Sequence, residues 1–172
     1  MKKGVSKPIY SIKKVEQKFN LKTLLGYEPS NEQKEVFFDL VVDKMQERTT
    51  SGKDINGNKF TKYSKDYAAK KGVSVGAVDL VLEGDMLESF EESSKQKNII
   101  KVAVGSSEVK KSFNHNTGDT LPKRTYFGIV KDNEINKIIK QVNSLSSNES
   151  EETESTIDLA ALRAAIQSVE VD

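Results

Sequence analysis

Ser30 to Arg48 constrains this chain more than any other stretch. Ser30 followed three positions later by Gln33 is the signature of a capping box, in which two side chains satisfy free amides at a helix start. Behind it Val36, Phe37, Leu40, Val41 and Met45 share one stripe, with Glu, Lys and Asp on the other side. Such a helix has to bury its stripe against another layer. An apolar fraction of 35% against 31% charged residues allows one modest core, with part of the chain outside it.

The flanking segments supply candidates for that layer. Ile12, Val15, Phe19 and Leu24 recur at roughly helical intervals, which predicts a short amphipathic helix within Ser11 to Leu25. TTSGKDINGNKF is a turn-rich loop around Asn56-Gly57. Ser64 caps a short helix, KDYAAKKG, closed by Gly72. VDLVLEGDMLESFEE reads as an extended piece, a Gly-Asp turn and a short helix whose inner face carries Met86, Leu87 and Phe90. KNIIKVAVGSS reads as a strand, and TYFGIV as a second β run. Asp132 then caps a helix with Ile135, Ile138, Ile139 and Val142 on one stripe.

Between the two β runs lies NHNTGDTLPKRTYFGI, residues 114–129, with the chain's only histidine. Gly118 permits a turn, and Pro122 fixes its own φ and keeps Leu121 extended. Arg124 and the aromatic pair Tyr126 and Phe127 open the expected strand, and Gly128 allows close backbone approach. The segment reads as a positioning device, and an arginine beside aromatics suits protein–protein contact.

From Ser144 the composition changes. SLSSNESEETES is a Ser/Glu-rich linker too polar to fold. Thr156 then caps IDLAALRAAIQSV, where Ile157, Leu159, Leu162 and Ile166 form an apolar face that needs something to fold against. Net charge is +1, but residues 143–172 hold seven acids and one base, so the body carries about +7 and the tail about −6. The expected architecture is α+β: a small mixed domain with a short sheet flanked by helices, a flexible linker and a C-terminal helix. Its parts are a basic arm with a short helix (1–29), the core (30–143), the linker (144–156) and the helical tail (157–172).

No catalytic, cofactor or metal constellation emerges. The absence of cysteine removes disulfides, thiolate zinc sites and cysteine nucleophiles. No long apolar run predicts a membrane span, and no membrane partner is expected. A lone His115 lacks metal-ligand company, with Asp119 as its one nearby carboxylate in sequence. Asp54, Asn56 and Asn58 alternate as in a calcium loop, but Lys65 stands where the closing acid belongs, so an Asn-Gly turn is the reading. GVSVGAVD lacks the ending of a phosphate-binding loop. Lysine pairs are dispersed, which leaves non-specific phosphate contact as the form DNA binding would take.

The order of segments resembles the virion-morphogenesis proteins of tailed bacteriophages, the tail-completion or neck proteins. NGNKFTKYSKDYAAKKG, LVLEGDMLESF, HNTG, PKRTYFG and KDNEINKII carry the likeness, over roughly residues 30–142. The resemblance implies a non-enzymatic virion part that assembles in the bacterial cytoplasm. Copies would form a ring that joins or completes head and tail. Partners would be other copies and adjoining connector, neck or tail proteins, with possible non-specific DNA contact in the channel. It makes His115, Gly118, Pro122, Arg124, Phe127 and Gly128 interface or loop-shaping residues, and Leu82, Gly84, Leu87 and Phe90 anchors of the central helix. Leu159, Leu162 and Ile166 of the tail are expected to contact a neighbouring subunit or adjoining virion protein. The rival expectations are a small basic nucleic-acid-binding protein, a scaffolding or adaptor part of the particle, and a hydrolase built on His115 with Asp119.

Overall fold

A computed structural model of the chain describes residues 1–80, 85–92 and 96–145. Four antiparallel strands form one sheet in the order β1-β2-β4-β3, with β1 Ile9–Ser11, β2 Lys14–Asn20, β3 Phe90–Glu92 and β4 Ile99–Val104. Among the described residues six helices accompany it: α1 Leu21–Leu25, α2 Asn31–Thr50, α3 Lys65–Lys71, α4 Asp85–Glu88, α5 Val109–Thr117 and α6 over 132–145. The fold is α+β, as expected from sequence. The linker and the tail helix, with Leu159, Leu162 and Ile166, lie outside the described residues, as do Leu82 and Gly84.

Helix α2 forms where its signals place it. Ser30 Oγ accepts from the Gln33 amide, and Gln33 Oε1 accepts from the Ser30 amide. Twenty residues give about 30 Å of helix. Phe37, Val41 and Met45 are fully buried, with Val36 and Leu40 packed at the margin. Phe37 meets Phe19 of β2 edge to face at 5.4 Å. Ile100, Val102 and Val104 of β4 and Ile135, Ile138 and Val142 of α6 join the same core. Helix α3 is capped by Ser64 and closed by left-handed Gly72.

Three local expectations are corrected. The segment expected as an arm with a short helix supplies β1 and β2, and only Leu21–Leu25 is helical. Strand β2 is central, pairing with β1 and with β4, where Phe19 faces Ile100 and Gln17 faces Val102. Phe90 belongs to strand β3, whereas Met86 and Leu87 are the buried residues of the short α4. The stretch TYFGIV, residues 125–130, is irregular and pairs with no strand. Its aromatics are fully buried, so its backbone polar groups must find partners elsewhere.

Candidate functional site

Most of those partners are side chains; the exception is the Thr125 carbonyl, which accepts from the Ile55 amide at 2.9 Å. The Asn116 amide oxygen, in the last turn of α5, accepts from the amides of Tyr126 and Phe127, both at 3.0 Å. Gln17 of β2 pairs with Ile129 in both directions: its oxygen accepts from the Ile129 amide at 2.8 Å, and its nitrogen donates to the Ile129 carbonyl at 2.9 Å. Arg48, in the last turn of α2, donates from one nitrogen to the carbonyls of Tyr126 (2.8 Å) and Gly128 (2.7 Å). Tyr10 of β1 donates to the Phe127 carbonyl at 2.7 Å. Four elements thus do for this segment what a neighbouring strand would have done.

The braces are themselves braced. Arg48 is buried, and its other terminal nitrogen meets Glu134 of α6 at 3.1 Å. Burial works against the Arg48 charge, and Glu134 counters it. Asn116 donates to Ser112, whose hydroxyl also accepts from the Tyr126 phenol at 2.7 Å. Burial raises the Tyr126 phenol far above its usual range, so it stays a neutral donor. Gly128 has φ +114°, and a Cβ there would lie 2.5 Å from Pro8 Cγ. The close approach expected at this glycine is real, and Pro8 is what approaches.

Arg124 is buried, so in this chain it shapes a loop from within. Its Nε donates to the Thr61 carbonyl at 2.9 Å, a terminal nitrogen reaches the Lys62 carbonyl at 3.3 Å, and its guanidinium stacks over the Tyr63 ring at 5.0 Å. It fastens the loop before α3 to the segment after α5. Gly118 closes α5 in the left-handed region, φ +79°, and the chain returns so that the Arg124 amide donates to the His115 carbonyl at 2.7 Å. His115 sits inside the last turn of α5; it was expected in the turn that follows.

Beside Arg124 opens a cavity of about 330 Å³, walled by Tyr63, Tyr67, Leu80, Leu121 and Pro122, with Ser64, Lys111, His115 and Arg124 completing it. His115 Nδ1 is buried with no hydrogen-bond partner among the described residues. Burial first, then the positive charges of Arg124 and Lys111, push the His115 pKa down to about 4. The imidazole is therefore neutral at neutral pH. No group of three or more His, Asp or Glu side chains suited to a metal exists among the described residues. Asp54 Oδ1 accepts from the amides of Asn56 and Asn58, which makes the calcium-like stretch a side-chain-stapled turn.

Sequence reasoning found Gly118, Pro122, Arg124, Phe127 and Gly128 but missed their clamps, Gln17, Arg48 and Asn116. The signal existed for two of them. Arg48 continues the stripe of Phe37, Val41 and Met45, and Asn116 stands four residues after Ser112 on the buried side of α5. A polar residue on an apolar face announces a buried partner. No family model, curated protein or solved structure matches the chain.

Proposed function

We propose that this chain is a structural part of a tailed-phage virion, of the neck or tail-completion type, acting as a ring that joins or completes head and tail. The observation that carries the reading is the use made of the segment Pro122–Ile129. Its polar backbone and its arginine are spent on internal bracing by β1, β2, α2 and α5. The segment is therefore fastened from several sides to the body of the domain. An assembly protein needs such fastening, because each subunit must present the same two surfaces to its neighbours.

The sheet offers two such surfaces. Among the described residues β1 and β3 each pair on one side only, and they end opposite edges of the sheet. Near the β1 edge Ile9 and Ile12 are exposed, Ile12 at 61%. Joining one edge region to a different one on the next copy is a heterologous contact, the kind that closes into a ring. The test is immunogold labelling of virus particles from the source lysate with antibody against this chain. Gold at the head–tail junction is the expected result. Particles without label would overturn the proposal, and binding to duplex DNA that falls steeply with salt would then favour the nucleic-acid reading.

A further inference from the structure

The cavity beside Arg124 is shaped for an apolar stripe, and among the described residues nothing covers its rim. Tyr67 and Leu121, both on its wall, are 38% and 37% exposed, unusual for large apolar side chains placed side by side at a concave site. Lys111 and Arg124 line it, and no acid among the described residues does. The groove between α2 and α6 is larger, about 580 Å³, but Asp43, Glu47 and Glu134 line it beside its lysines. A third hollow of about 750 Å³ is walled mainly by polar residues such as Asn56, Thr61 and Asn116. Among the described residues only the first joins an apolar wall to a cationic lining without acids.

The chain contains a segment with the matching chemistry. Residues 156–172 carry Leu159, Leu162 and Ile166 at i, i+3 and i+7, the spacing of anchors that a groove reads from an amphipathic helix. The same segment bears Asp158, Glu170 and Asp172 against Arg163 alone. Stretch 146–155 at about 3.3–3.6 Å per residue reaches up to roughly 35 Å. A body of this size has a radius of gyration of about 15 Å. A fully extended linker thus spans about the width of its own body, and tethering of this kind holds a docked segment at an effective concentration of about millimolar.

We propose that segment 156–172 docks into this cavity on its own chain, Leu159, Leu162 and Ile166 entering between Tyr67, Leu80 and Leu121, with its acids toward Lys111. Docking in the free chain stands apart from the ring: it is a property of the single molecule, and the assembled state is where the tail would be handed on. Among the described residues the lining sets no carboxylate against the tail's three acids, whereas the α2–α6 groove sets three there beside its lysines.

The test uses the full chain with a photo-crosslinking benzoylphenylalanine in place of Leu162, and adducts located by mass spectrometry. Expected are adducts within one chain on Tyr67, Leu121 or Pro122, at a yield independent of protein concentration. The double variant L121D/K111E, at two partly exposed positions, should lower that yield tenfold or more while circular dichroism stays unchanged, since a charge then replaces an apolar contact. Adducts on Leu40 or Ile138, adducts only between chains, no adducts, or a yield indifferent to the double variant would each overturn the proposal. None of these outcomes depends on where the chain sits in a virion.

Discussion

Residues 99–104 and residues 125–130 are two β-like apolar runs, IIKVAV and TYFGIV, and they end in opposite solutions. The first is β4, with β2 bonded to one side and β3 to the other. The second is equally buried but has no strand beside it, and hangs on Asn116, Gln17, Arg48 and Tyr10. In β4 the bonds that hold the backbone come from backbone, so side chains there are free to serve the core. In 125–130 the bonds come mostly from side chains, Met45 Sδ included, with one backbone bond from the Ile55 amide to the Thr125 carbonyl, so most of that backbone is only as secure as those residues. β-propensity describes how well a residue fits a half-buried pleated surface, and it is silent on whether a partner strand exists.

The largest effect should come from Arg48→Met. It fills similar volume but removes both donors to the Tyr126 and Gly128 carbonyls and leaves Glu134 without its buried partner. Breaking a buried ion pair from one side costs about 3–5 kcal/mol. Urea denaturation should show a loss of that size, with amides of 125–130 exchanging faster than those of β4. A loss under about 1 kcal/mol, typical of an exposed ion pair, would mean that the segment stands without its brace.

Two of the misread segments, β2 and 125–130, share a cause. Strand β2, KVEQKFN, alternates Val15, Gln17 and Phe19 toward the core, but a glutamine in the middle breaks the apolar rhythm a strand is recognised by. That glutamine faces inward because Ile129 needs it. The strand was hidden by the same residue that made a second strand unnecessary. Local chemistry was legible where it closes on itself: the Ser30 box, the Ser64 cap, the left-handed Gly72, the Asp54 turn. Helix α6 was legible from its stripe, though it begins at Asp132, whose carboxylate lies 3.7 Å from the N-terminal ammonium. Contacts over a hundred residues of chain, such as Gln17 to Ile129 or Tyr10 to Phe127, leave no trace in periodicity. The candidate site was therefore visible as a segment and invisible as a braced object.

Asn116→Leu sharpens the contrast at smaller cost. It keeps the helix and the volume of the side chain but strips the acceptor from two buried amides, Tyr126 and Phe127. A buried group left without its partner costs about 1–3 kcal/mol. The urea midpoint should fall accordingly, and the exchange of those two amides should rise above that of Ile100 and Val102. Uniform acceleration across both regions would show that they open as one unit and that the difference in their bonding has no separate stability behind it.

Acid should distinguish the regions with the mildest effect. His115 lies one residue before Asn116 and faces Arg124 and Lys111, so its protonation adds a third positive charge where the braced segment is fastened. Its folded pKa of about 4 lies below its ordinary 6.5, so the fold favours the neutral ring. Above about pH 6.5 both states are neutral and the contribution is fully present. As pH falls from there toward about 4 the unfolded chain takes the proton first, and stability is lost; below about 4 the loss levels off. This is the chain's only histidine, and the upper part of the window lies above the ordinary carboxylate range, so the slope between pH 6.5 and 5 belongs largely to this ring. Urea midpoints at pH 7 and pH 5 should separate in the native chain and converge in His115→Phe, with 125–130 loosening before β4. A slope that survives the substitution would place its source elsewhere, and would leave the two regions equal before acid though unequal in their bonds.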